Sequence, residues 1–474
     1  MLGMCAKRNA FSSIKNVNLE KSIDLKLNSM ILDEIGLNRP VLISVVIPTK
    51  IDAGKKTRRR ELKTLSKILE ECSKLADLGY IDEIIVIDAS IYGDGKPDYN
   101  VLTKVIKTAY LHLRLFRREV DLIASSKAES LHANKGFFNF FIKVVHQFDP
   151  IIAKILENRN VFKKLSIEKI PTGKGAALWL SIPICSGDIV CFIDSDIMNF
   201  KKEIVVSLCN PLIKSINNSS LKTIFSKAYY KRLTLRYESE SKEFVFGGRV
   251  TRLFIKPMLK ILSNKYPELF KGFDKINYPL SGENATFKDV LERLKFPCDY
   301  SIELSTLYQI IRKNDVDSIA QVDLDLFYHI GQSVKGLHNM VSQLSSYLVK
   351  LLEENGIFLS EDSLNNLVNE YLSECKKWVE KYKRIFYKDL QPLSKELKAP
   401  IHYSEITEKE RVELFSSIFL ETVKNRGYES KILPAWKDMM YQNDYALLSS
   451  LLRCRANQFT YDRLLKTGLV KKFR

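Results

Sequence analysis

The stretch Asp188-Ile189-Val190-Cys191-Phe192-Ile193-Asp194-Ser195-Asp196 decides how the rest of the chain is read. The apolar run from Ile189 to Ile193, rich in β-branched and aromatic residues, reads as a buried strand of a parallel sheet. Two carboxylates one residue apart follow where that strand should emerge. Ligands of open α/β sheets collect beyond the carboxyl ends of the strands. Side chains alternate faces on extended backbone, so Asp194 and Asp196 can share one side with Ser195 turned away. Paired carboxylates at a sheet mouth suit a hard divalent cation, magnesium or manganese, which would neutralise a diphosphate. Taken alone, D-x-D reads equally well as a helix cap beside a solvated acid.

Upstream, Val41 to Thr49 reads as a strand ended by Pro48. A charged helical segment with apolar periodicity from Leu62 to Leu75 follows, then a second strand from Ile84 to Ser90. Strand, helix, strand, each strand closing on polar residues, is a βαβ unit and predicts a mostly parallel sheet flanked by helices. Residues 1–40 are expected to be a helical lead-in, and the segment of about 131–165 a helical insertion. Within it, Phe137 to Val145 is too short and polar for a membrane span, which needs ~18 apolar residues; a helix packed on the core is expected there. Gly173-Lys174-Gly175 opens a further helix and can aim backbone donors and an ammonium at phosphate; the P-loop spacing is absent. Past Gly336, leucine-rich helical patterns predict an all-helical C-terminal region, 336–474, after a main domain of 41–335.

At 474 residues, with 45% hydrophobic and 27% charged residues, the composition is that of a soluble globular chain. The net charge of +18 permits nucleic acid, an anionic surface or phosphorylated substrates as partners. Neither an RNP-type motif, a zinc finger nor a basic-aromatic repeat supports nucleic-acid binding. Eight isolated cysteines without a C-x-x-C pair predict reduced, buried thiols and a cytoplasmic setting. No transmembrane span is expected, and a homodimer is the expected assembly.

Six blocks carry a resemblance. They are G-K-G-x-A-L-W at Gly173 to Trp179, G-D-I-V-x-F-I-D-S-D at Gly187 to Asp196, and G-R-V-T at Gly248 to Thr251. P-L-S-G-E at Pro279 to Glu283, Y-S-I-E at Tyr300 to Glu303 and A-Q-V-D-L at Ala320 to Leu324 complete the set. In this order, over about Val41 to His329, the chain resembles the glucosyl-3-phosphoglycerate synthases. These are retaining glycosyltransferases of the GT-A fold that make a phosphorylated precursor of the compatible solute glucosylglycerate.

The resemblance implies a metal (Mg2+ or Mn2+) on Asp196 and His329, with Asp194 nearby. It implies a donor nucleotide, UDP-glucose or GDP-glucose, along Pro48, Thr49, Asp52, Asp88, Ser90, Lys174 and Asp194. The family has Asn-Glu-Glu after its first strand, whereas this chain has Ile51-Asp52-Ala53. The acceptor, 3-phosphoglycerate or a similar anion, falls to Gly248, Arg249, Val250 and Thr251. Arg249 offers a planar fork for phosphate or carboxylate. The basic residues that the family carries near its histidine are absent here. Glu283 and Glu303 are expected on sugar hydroxyls; with Asp194 and Lys174 they are the candidate catalytic residues. Front-face displacement is the expected mechanism, with double displacement through Glu283 or Glu303 as its competitor. A sister transferase using GDP-glucose or GDP-mannose, or taking glycerate, a glycerol derivative or a lipid phosphate, and a non-catalytic GT-A binding domain are the competing readings.

Overall fold

The structure is a computed structural model that describes residues 10–14, 17–32, 38–125, 139–238, 241–331, 334–425 and 430–470. The strand Ile43–Thr49 lies at the centre of the parallel part of the sheet. On one side it pairs parallel with Glu83–Asp88, which pairs parallel with Ile142–His146. On the other side it pairs parallel with Ile189–Phe192. Asn284–Phe287 then runs antiparallel between Ile189–Phe192 and Phe225–Glu238, and Ile319–Ile330 continues the sheet parallel to the latter. The mostly parallel, helix-flanked sheet expected of a GT-A chain is thus present.

Both faces of the central strands are buried, so their residues alternate between two cores. Val46, Ile85, Val190 and Phe192 face one core. Val45, Ile84, Ile189 and Cys191 face the other, under the helices Arg58–Asp77, Asn100–His112 and Glu203–Asn217. This is why the quoted run shows no polar period: neither side meets water.

The segment expected to be a helical insertion differs. Ile142–His146 is a fully buried strand of the sheet, and among the described residues of that segment helix begins at Pro150–Asn158. Five positions, three of them β-branched, are too few for periodicity to separate strand from helix, and pairing with Glu83–Asp88 settles it. Phe137 and Phe138 lie outside the described residues. Among its described residues the lead-in contains the helix Leu19–Leu27 but also short strands, of which Ala10–Ser13 pairs parallel with Ile319–Ile330.

Beyond residue 334 the chain is mostly helical: Val334–Glu354, Glu361–Ile385, Glu405–Asn425 and Gln442–Thr467. These helices share the cores of the sheet. Leu344, Leu348, Phe415 and Trp436 pack into the first, while Phe459 and Leu464 enter the second. The last helix also closes the sheet edge. Asn457 Oδ1 accepts from Phe140 N and Thr460 Oγ1 from Val144 N, each at 2.9 Å, so donors that an edge strand would leave open are satisfied. Among the described residues no helix is long and apolar enough to cross a membrane. Six of the seven described cysteines are buried and all seven are free.

Candidate active site

The strand Ile189–Phe192 ends two residues before Asp194, and Ser195 and Asp196 lie in a turn. Both carboxylates still reach one pocket, though by way of that turn and not by strand alternation. Glycine at 282 lets the next segment approach: a Cβ there would collide with the Asp194 carboxylate.

Lys174 begins the helix Lys174–Ser181. Gly173, at φ 124°, and Gly175 let that helix start press against the Cys298 and Pro297 carbonyls, where any side chain would clash. Lys174 Nζ thereby lies 2.6 Å from Asp194 Oδ1 and 2.7 Å from Glu303 Oε1. Burial would lower the ammonium's pKa, but the two carboxylates raise it well above its ordinary value.

His329 comes from the far end of Ile319–Ile330. Val322, Leu324 and Phe327 all face the same core, so strict alternation breaks between Leu324 and Phe327. The break is a bulge around Asp325, whose φ is 64°, and it re-aims the rest of the strand. His329 Nδ1 then stands 3.2 Å from Asp196 Oδ1, and its buried Nε2 has no hydrogen-bond partner. Burial and the Arg232 guanidinium lower the imidazole's pKa, favouring the neutral form. Burial would raise Asp196, but His329, Arg232 and Lys174 hold its carboxyl well below the usual carboxylate range. A neutral imidazole whose Nδ1 stands beside an ionised carboxylate is a donor pair that suits a divalent cation. Asp194, expected as a further ligand, lines the same pocket and pairs with Lys174 through Oδ1. Among the described residues no group of three or more His, Cys, Asp or Glu side chains converges as a metal cage.

The pocket is also lined by Gly248, Arg249, Val250 and Thr251. Arg249 is buried. Burial and the neighbouring Arg411, Arg236, Arg232 and Arg252 push its pKa down to about 10. Such a concentration of guanidinium charge favours an anion with more than one negative charge.

His329 and six other candidates, Pro48, Thr49, Asp52, Asp88, Ser90 and Glu283, lie outside the lining. Asp88 is fully buried, and Thr49 and Ser90 each donate to its Oδ1 at 2.6 Å. Ser90 Oγ also accepts from Ile51 N at 2.7 Å, and Asp52 Oδ1 from Ile91 N at 3.0 Å. These groups brace the two strand ends against each other. Pro48 is beside them, half-buried, and none of the five lines the pocket. Glu283 is fully buried, accepts from Tyr230 Oη at 2.9 Å, and is raised to about 7 by burial and Asp194. Glu303, by contrast, lines the pocket.

Sequence reasoning missed Arg232, Thr234, Tyr278, Tyr300, Leu337 and Met340 in the lining. Arg232 and Thr234 had a legible signal, since they alternate with the buried Leu233 and Leu235. Leu337 and Met340 come from the helical region and had none.

The geometry can be set beside known proteins. No family model matches the chain. The curated glucosyl-3-phosphoglycerate synthase of Petrotoga mobilis is 33% identical over 204 residues, 43% of this chain and 58% of that protein. The synthase of Mycobacterium tuberculosis is 32% identical over 208 residues, 43% of this chain and 60% of that protein. The matched part of the chain is related to the glucosyl-3-phosphoglycerate synthases. The alignments span somewhat over half the length of these curated synthases. A crystal structure of the M. tuberculosis synthase with Mn2+, UDP and glucosyl-3-phosphoglycerate aligns with 73% of this chain and 86% of its own, at 24% identity and a TM-score of 0.46.

Proposed function

We propose that the chain is a retaining, metal-dependent glycosyltransferase that moves glucose from a nucleoside-diphosphate sugar to 3-phosphoglycerate. The observation that carries this is a single pocket lined by Asp196, Lys174, Asp194, Glu303, Arg249 and Thr251, with His329 behind Asp196 at 3.2 Å. The relationship to synthases of that product supports the choice of sugar and acceptor.

Asp196 and His329 would hold Mg2+ or Mn2+, which supplies positive charge for a departing diphosphate when bound. Lys174, fixed by its two carboxylates, places a further cation beside that leaving group without reorganising during the reaction. Asp194 and Glu303, already oriented by Lys174, are placed to accept from sugar hydroxyls. Arg249, Thr251 and the Gly248 backbone hold the acceptor phosphate and carboxylate. The acceptor hydroxyl attacks from the face the leaving group departs, and its proton passes to a leaving phosphate oxygen.

Double displacement through Glu283 is disfavoured, because that carboxylate is fully buried against Tyr230. No observation favours a guanosine donor. A cytoplasmic location belongs to the same reading and is supported by the free cysteines. The test is incubation with Mn2+ or Mg2+, glucose nucleotides of different bases, and 3-phosphoglycerate or glycerate, with products identified by mass. Formation of glucosyl-3-phosphoglycerate with retained anomeric configuration is expected; turnover of glycerate alone would overturn the acceptor assignment.

A further inference from the structure

Behind the active site lies a second cavity of about 440 Å³, between the helices Ile302–Asn314 and Val334–Glu354 and the short strand Ile432–Leu433. The first of these helices serves both places. Its opening turn presents Glu303 to Lys174, while Ser305, Tyr308, Gln309 and Arg312 line the cavity. Spacings of three, four and seven residues make these one stripe along the helix. The opposite stripe, with Leu304, Leu307 and Ile311, is core.

The lining divides by chemistry. Tyr347, Leu351, Ile432 and Pro434 give an apolar floor. Arg293, Lys295, Arg312, Lys313 and Lys350 give a basic rim, against only Glu354 and Asp438. Two of the rim's cations are ordered by neutral acceptors. Arg312 Nη1 donates to the Glu268 carbonyl, and Lys313 Nζ to the Arg293 carbonyl at 3.3 Å. Arg293 pairs with exposed Asp289, and Lys295 has no ion-pair partner among the described residues. Gln309 bonds both the backbone N and O of Lys295 at 2.8 Å, fixing the rim to the helix.

A cavity of this volume is in the range that encloses a small organic ligand, and larger than a single ion requires. We propose that it binds a phosphorylated small molecule with an apolar or aromatic body, a phosphomonoester of nucleotide size, at a site separate from the transfer pocket. The phosphate meets the rim and the body lies on the tyrosine and leucine floor.

Adenosine monophosphate and inorganic phosphate are the probes. Each is titrated calorimetrically into the full chain, with uridine diphosphate and manganese saturating the transfer pocket. One equivalent of adenosine monophosphate is expected to bind, more tightly than phosphate. Its affinity should fall about tenfold or more in Lys295→Glu/Lys350→Glu, and with added salt. The double variant should keep its melting temperature and glucosyl transfer; Lys295→Gln serves if it does not fold. Absence of binding under saturation, or unchanged affinity in a folded variant, overturns the site. Phosphate binding as tightly as the nucleotide overturns the apolar-body assignment.

Discussion

His329 Nδ1 stands 3.2 Å from Asp196 Oδ1 across 133 residues of chain. The contact is held by an interlock of the turn with the strand. Met198 N donates to the Tyr328 carbonyl at 2.8 Å, Asn199 Oδ1 accepts from Tyr328 N at 2.9 Å, and Asn199 Nδ2 donates to the Leu326 carbonyl at 2.6 Å. The candidate metal pair is therefore fixed by one backbone bond and the two bonds of the Asn199 amide.

Removing either member should abolish transfer without unfolding the chain. Asp196→Ala and His329→Ala are each expected to lower turnover by at least about a hundredfold and to weaken Mn2+ binding. Turnover, metal titration and a melting curve read all three quantities. Near-normal, metal-dependent turnover by both variants would falsify the assignment.

Lys174→Met leaves Asp194 and Glu303 facing each other without their cation. The expected result is a fall in kcat on the order of 100-fold, with a smaller change in KM for the acceptor. Lys174→Arg should not rescue it, because the planar fork cannot occupy the place of a compact ammonium between two carboxylates. Full rescue by arginine would argue for a general electrostatic role.

The helical region clamps the lysine-bearing helix through two indoles. Trp436 stacks on Trp179 at 3.9 Å and donates from Nε1 to the Trp179 carbonyl, while Trp179 Nε1 donates to Pro434 O. Trp436→Ala should cost about 3–5 kcal/mol of stability, read by denaturant titration. Transfer should weaken as well, since Lys174 opens the same helix as Trp179. Loss of stability with unaltered kcat would separate the clamp from the site.

Lys143 and Glu83 form an ion pair in the sheet, 2.8 Å long and with both side chains almost fully buried. Lys143→Met strands the carboxylate and should cost about 3–5 kcal/mol. Adding Glu83→Gln, which keeps acceptors for Ser44 and Ser186, should recover most of it. Chemical denaturation of the three variants checks both steps, and no recovery in the double variant would count against the pair.

Asp88 titrates unusually high, raised to about 7 by burial despite the hydroxyls of Ser90 and Thr49. Between its ordinary pKa of about 4 and about 7, the folded chain holds a proton that the unfolded chain releases. This group's contribution to stability is therefore present at low pH and is lost as pH rises through that window. Asp88→Asn should flatten the corresponding slope of melting temperature against pH between 5 and 8. An unchanged slope would place the ionisation elsewhere.

What the sequence by itself determined was local and repetitive. The apolar run Ile189 to Ile193 required a strand buried on both faces, and Gly173-Lys174-Gly175 marked a helix start. The periodic leucines beyond Gly336 required helices. What only the tertiary structure decided was every relation between distant segments. Ile142–His146 became a strand because a parallel neighbour was open to it and the last helix could cap its outer edge. His329 reached Asp196 beyond a bulge at Asp325 that broke the alternation of its strand. Asp194 turned to Lys174, and Asp88 and Glu283 withdrew into the core. Hydrophobic periodicity records whether a residue is buried, because burial energy scales with apolar area whatever the neighbour is. Which carboxylate meets which cation depends on directional contacts a few ångströms long between segments far apart in the chain, and no local pattern encodes them.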